Sequence, residues 1–181
     1  MRSVFKNNVI IIGADHHNTL AAIRCFGKLT CNLQVLVHTS QADLEKVRIS
    51  HSRYATSKTV CVSESPDAIV QWLRNRVEED KQILFPCSDL AAYAIDMNYQ
   101  ELSSSYVIPG FKGAPGKVAH LMDKWEQSKF ANENGLPMAK TWSLTNANDF
   151  SVPEDMVYPC IVKPEVSAFG NKGDIVIRVG R

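Results

Sequence analysis

Near the end of the chain, one lysine and the loop that follows it have the residue types and spacing to grip an anion. Tyr158-Pro159-Cys160-Ile161-Val162-Lys163-Pro164 puts Lys163 at the end of an otherwise apolar run. An ammonium there must escape to water or meet an anion, because an unpaired buried charge is too costly. Residues 167–173, Ser-Ala-Phe-Gly-Asn-Lys-Gly, follow as a hairpin loop with two glycines, a hydroxyl on Ser167 and a second cation. Gly170 and Gly173 allow close approach, so several backbone N–H groups could turn toward phosphate oxygens. The loop is not a P-loop, since the G-x-x-x-x-G-K-[ST] spacing is absent. On spacing alone, an ordinary solvated hairpin with a lysine snorkelling to water is the better description.

Other candidates lie in the first half. Gly13-Ala14-Asp15-His16-His17-Asn18 follows a predicted strand, where doubly wound folds bind ligands. It lacks G-x-G-x-x-G, which argues against a dinucleotide site. The adjacent His16 and His17 lack the i, i+4 spacing for joint metal binding on a helix, and read as polar loop residues. Asp15 and Asp89 are the residues placed for a substrate-side role, Asp89 at the carboxyl end of a predicted strand, although its first reading is a helix cap. Arg53-Tyr54 could reach a ligand, and a surface salt bridge describes them equally well. No residue draws a catalytic assignment, and no metal-ligand set is predicted.

What must position these residues is an alternation of strands and helices. Val9 to Ile12 is a short apolar run before Gly13, as expected of a strand buried on both faces. A helix over 19–29, with Leu20, Ala21, Ile23, Phe26 and Leu29, leads to strands at 33–37 and 59–62. Ser65-Pro66-Asp67 is a helix start, combining an N-cap, a proline at the first position and an acid at the positive end of the dipole. Behind it Ile69, Trp72, Leu73 and Val77 fall on one helical face. A strand at 83–85 is closed by Pro86, and Ser88 or Asp89 caps a helix carrying Leu90, Tyr93, Ala94 and Met97. A last short strand is expected at 107–109. This alternation implies a mostly parallel sheet.

Two glycines and a proline in 111–116 mark a boundary. Beyond it, helices are expected at 118–122 and 124–134, the second stopped by Gly135, with strands at 138–144, 158–162 and 175–179. The expected fold class is therefore α/β, with a Rossmann-like parallel sheet over 1–112 and a partial α+β unit over 113–181. A single hairpin with two helices does not close a core by itself, so the second unit reads as truncated, and self-association or partial disorder is expected beyond Gly113.

Met122-Asp123-Lys124, then Gly135-Leu136-Pro137, then the run ending in Lys163-Pro164 and the loop to Gly173, resemble in order and spacing the ATP-grasp carboxylate–amine ligase superfamily. The first half resembles the Rossmann-like domain that precedes the grasp in these enzymes. That resemblance is greatest to the members like the carbamoyl-phosphate synthase large subunit, and Phe85-Pro86-Cys87-Ser88-Asp89 is similar to a recurrent strand-to-helix element of the domain. The resemblance implies that Lys124 and Lys163 grip nucleotide phosphates while Ser167, Gly170 and Gly173 belong to a loop that closes over them. It implies ATP and magnesium as cofactors, an acyl-phosphate intermediate, and small-molecule carboxylate and amine substrates. The family's adenine hinge and magnesium ligands are expected past residue 181, so this chain alone is expected to be an inactive fragment. Phe169 and Asn171 stand where the family has small residues. The alternative, from a different class, is a non-catalytic module binding a small metabolite or partner.

Composition narrows the field. A length of 181 residues suits one full domain and a piece of another at roughly 150 residues each. Twenty Lys plus Arg against nineteen Asp plus Glu leaves +1, which provides no bulk electrostatic footprint for nucleic acid or an acidic membrane. Five widely spaced cysteines with no C-x-x-C argue against a disulfide framework and a zinc site, and for a reducing compartment. No apolar run approaches the ~20 residues of a membrane span or forms a signal-peptide core. A cytoplasmic location, and possible homo-oligomers, are expected.

Overall fold

Strand β1 (Val9–Ala14) is apolar on both faces, and both are covered. Ile10 and Ile12 join Leu36 and Leu84 in a core closed by Ile69, Leu73, Ala91 and Ile95. Val9 and Ile11 face a second core with Leu33, Val35, Val37, Ile23 and Ile49. Burial on two sides is what a central parallel strand requires.

The structure is a computed structural model that describes residues 8–29, 32–41, 43–110, 113–143, 154–162 and 177–179. The chain divides into two compact units, Met1–Ala119 and His120–Arg181. In the first, β1 is joined by β2 (Leu33–His38), β3 (Ser57–Cys61), β4 (Gln82–Pro86) and β5 (Tyr106–Val107). All pairs are parallel, in the order β3-β2-β1-β4-β5, so the expected α/β class and parallel sheet are the ones adopted. Helix α1 (His17–Phe26) contributes Ile23 to one core, while α2 (Pro66–Arg74) and α3 (Asp89–Met97) supply the other. Between β2 and β3 the crossover is made by two 3-10 turns, Leu44–Lys46 and Arg48–His51. No helix among the described residues is long and apolar enough to cross a membrane.

Local chemistry explains the element ends. The Ser65 hydroxyl accepts the Asp67 N–H, and Pro66 opens α2. That helix stops at Arg74, so Val77, expected on its apolar stripe, lies past the end and is exposed. A short helix not anticipated from sequence, α4 (Tyr99–Leu102), buries one apolar side chain, Leu102, and is tied to α2 by the paired Arg74–Glu101 contacts at 2.6 and 2.8 Å. Helix α5 (Lys117–His120) begins in the first unit, where the Ala119 N–H donates to the buried Asp96 carboxylate at 2.8 Å.

In the second unit, α6 (Lys124–Glu133) ends at Gly135, whose φ of +65° is the left-handed conformation that glycine adopts freely. β6 (Cys160–Val162) pairs antiparallel with β7 (Ile177–Val179). The strand expected at 138–144 is not found: described residues 138–143 hold no regular element. Lys140 and Trp142 instead both bind the Asp155 carboxylate, which pins this segment through side chains rather than a backbone ladder.

Candidate functional site

Strand order reverses direction between β1 and β4: from β1 the chain builds outward through β2 and β3, then crosses back to β4 and β5. Such a switch point parts the loops at the carboxyl ends of two neighbouring strands and leaves a crevice. Here the crevice is an open pocket of about 380 Å³, lined by Asn18 from the β1 side and by Phe85, Cys87, Ser88 and Asp89 from the β4 side.

The two loops are held close. The Cys87 N–H donates to the Ile12 carbonyl at 2.7 Å. At Gly13 a Cβ would lie 2.3 Å from Thr19 Oγ1 and 2.9 Å from Cys87 Cβ, so only glycine fits there. His16 caps α1, its Nδ1 accepting the Asn18 N–H, and its ring centre lies 3.7 Å from that of His17. Ser88 caps α3, its hydroxyl oxygen accepting the Ala91 N–H at 3.2 Å. The same oxygen lies 2.7 Å from Nε2 of His38, the last residue of β2. His38 is buried, and its Nδ1 has no hydrogen-bond partner among the described residues. Burial holds this imidazole below its usual pKa, against a smaller upward pull from Glu64, so the neutral ring is favoured. Burial likewise pushes the Cys87 thiol up to about 11, so it is a protonated wall of the crevice and not a nucleophile at neutral pH.

The anticipated site residues that are described belong to different units, Asp15 and Asp89 to the first and Lys124 to the second. Asp89 is the first residue of α3 and lines the crevice; the cap itself is Ser88. Asp15 is turned to a structural task, accepting the Arg48 and Ile49 N–H groups at 3.2 and 3.1 Å and so closing the start of the second 3-10 turn. Lys124 opens α6 behind its cap Asp123, whose carboxylate takes the Trp125 and Glu126 N–H groups. Its Nζ reaches the Met122 carbonyl at 3.5 Å. The carboxylates of Asp123 and Glu126 supply negative charge in the same first turn of the helix, where it is favoured. Lys163, Ser167, Gly170 and Gly173 lie outside the described residues. Among the described residues no three His, Cys, Asp or Glu side chains come together to hold a metal.

The fold is similar to that of a ligase. An L-amino acid ligase from Bacillus licheniformis superimposes on 98% of this chain with a TM-score of 0.62, at 13% identity. The chain spans 40% of that ligase's length. No family model matches the sequence, and no curated protein is similar to it. At this identity the likeness is one of fold.

His38 and Thr19, both buried and in contact with residues of the two loops at the crevice, are the residues that sequence reasoning missed. Thr19 Oγ1 is fully buried beside Gly13 and without a hydrogen-bond partner among the described residues. A histidine ending the apolar strand Leu33–His38 was the available signal, since a polar residue at that edge of a buried strand needs a partner.

Proposed function

We propose that this chain is the front portion of an ATP-dependent ligase that activates a carboxylate as an acyl phosphate for attack by an amine. The observation that carries the reading is the fold likeness over 98% of the chain to an L-amino acid ligase. In this reading residues 1–112 are the Rossmann-like domain preceding a grasp, and 113–181 are the first part of the grasp. Within the superfamily, the branch proposed is the one like the carbamoyl-phosphate synthase large subunit, on the resemblance of the first half. A free, exposed Cys25 fits a reducing cytoplasm.

Lys124 and Lys163 neutralise charge on the nucleotide phosphates, and Ser167, Gly170 and Gly173 shield the γ-phosphate from water. The position of Lys124, half-buried at the start of α6, fits such a role. Magnesium, when bound, offsets charge on the transferring phosphoryl group. The chain spans 40% of the similar ligase's length, and in this reading the 181 residues alone hold nucleotide without releasing ADP. The crevice beside Asp89 is the place for a small-molecule substrate.

Titration with Mg-ATP tests this. Lys124→Ala and Lys163→Ala should each raise the nucleotide Kd by about tenfold, as loss of a charge-assisted contact does. An unchanged Kd in both variants sinks the assignment. The crevice favours a second reading, a metabolite-binding module without catalysis. Thermal stabilisation by a small carboxylate but not by Mg-ATP would select it.

A further inference from the structure

We propose that the first unit carries a separate anion site, a basic pocket between the end of α1 and the loop before β3, suited to a small phosphate-bearing ligand. Arg24, Lys28, Arg48, His51, Arg53 and Tyr54 line one open concavity of about 540 Å³. The whole chain carries only +1, so four permanent cations on one concavity are a local concentration and not bulk charge. The helix dipole accounts for Arg24 and Lys28 at the carboxyl end of α1. It does not account for Arg48 and Arg53, which arrive from a different segment. Like charges gathered this way repel one another until an anion joins them.

The second segment is held against the first by two devices. The Asp15 carboxylate takes the Arg48 and Ile49 N–H groups, and the Ile49 side chain is buried in the core. At Gly27, which ends α1, a Cβ would lie 2.5 Å from Tyr54 Cβ and 2.7 Å from the Tyr54 carbonyl oxygen. Glycine at that position is what lets the Arg53–Tyr54 loop press against the helix. Among the described residues one carboxylate is seen to pair with the cluster's arginines: Asp15 Oδ2 is 3.6 Å from Arg48 Nε, while both its oxygens are engaged by backbone N–H groups. The Arg53 guanidinium lies 5.4 Å from the centre of the Tyr54 ring. It holds the Tyr54 phenol below its usual range, and Lys28 and Arg24 act in the same sense, so three cations act on one hydroxyl.

Three guanidinium groups and an ammonium suit a phosphate. Each guanidinium fork can take two oxygens at once, and a dianion gains more from every cation than a carboxylate does. The volume lies within the range of small-molecule sites, and Leu20 gives the pocket an apolar wall for the body of the ligand.

Calorimetric titration of the 181-residue chain with inorganic pyrophosphate, without magnesium, tests the proposal. Saturable binding is expected, weakened at least about tenfold in Arg24→Gln/Arg53→Gln and retained in Lys124→Ala/Lys163→Ala. The lysine pair keeps this outcome distinct from failure of the nucleotide grip. Both arginines are exposed, and the single variants R24Q and R53Q, each binding more weakly than the parent, serve if the pair misfolds. Absence of saturable binding overturns the proposal. So does binding that survives the arginine changes and disappears in the lysine pair.

Discussion

His38 Nε2 and Ser88 Oγ lie 2.7 Å apart and join the end of β2 to the cap of α3. One hydroxyl therefore serves two groups, the Ala91 N–H and the His38 ring. The contact ties the β1–β2 side of the sheet to the first turn after β4, across the switch point. It fixes the wall of the crevice that Asp89 lines.

Ser88→Ala should cost more than an ordinary cap. Loss of the cap alone is worth about 1 kcal/mol, and stranding a buried imidazole nitrogen adds about 1 kcal/mol or more. Ser65→Ala is the control, because that hydroxyl caps α2 through the Asp67 N–H and no other contact of it is seen among the described residues. Urea midpoints of the two variants measure the difference. Equal losses would mean that the His38 contact contributes nothing.

The same histidine makes stability depend on pH. Its folded-state pKa lies below the ordinary value of 6.5 because burial disfavours the charged ring, and Glu64 opposes this only in part. Below 6.5 the unfolded chain takes up a proton that the native state resists, so unfolding is favoured as pH falls. The contribution is present above 6.5 and declines below it. Replacing His38 with Gln should flatten the slope of stability between about pH 6.5 and 5, where carboxylates contribute least. A slope identical to the parent's would exclude His38 as its source.

The frame of the first unit was readable because its strands are buried on two sides. Val9–Ile12 and Leu33–Val37 are nearly unbroken apolar runs, and Ser65-Pro66-Asp67 announces a helix by local bonds alone. What escaped reading depends on distant partners. The Asp15 carboxylate accepts the N–H of Arg48, 33 residues away, a contact that no local pattern announces. His38 and Ser88 are 50 residues apart, and the parallel registers Ala14–His38 and Ile12–Pro86 bring them to one edge. The segment 138–143 has strand-like composition, but the Asp155 carboxylate captures its side chains and no ladder partner lies among the described residues.

That capture gives a prediction for the second unit. Lys140 and then Trp142, through their hydrogen bonds, hold the Asp155 carboxyl below its usual 3.8. The stabilisation is therefore complete above 3.8 and is lost as pH falls below it. Asp155→Asn keeps the shape, removes the charge and should shift Trp142 emission at neutral pH toward the value the parent reaches only in acid. Emission that does not differ between the Asp155→Asn variant and the parent would place the indole outside the clamp's control.

Gly13 makes the most demanding prediction, because its replacement meets both walls of the switch point at once. An added methyl would lie 2.3 Å from Thr19 Oγ1 and 3.1 Å from Thr19 Cγ2, with Cys87 Cβ at 2.9 Å. Overpacking of this kind costs about 1–3 kcal/mol. Thr19→Ala removes two of the three contacts, and the lost hydroxyl leaves no bonded partner stranded among the described residues. The pair Gly13→Ala/Thr19→Ala should therefore be more stable than the sum of the single changes predicts, with the Cys87 contact as the residual cost. Denaturation midpoints of the three variants give the coupling directly. Strict additivity would mean that the β1 loop moves aside as a body, and that the close crossing of the two loops is not what demands glycine at position 13.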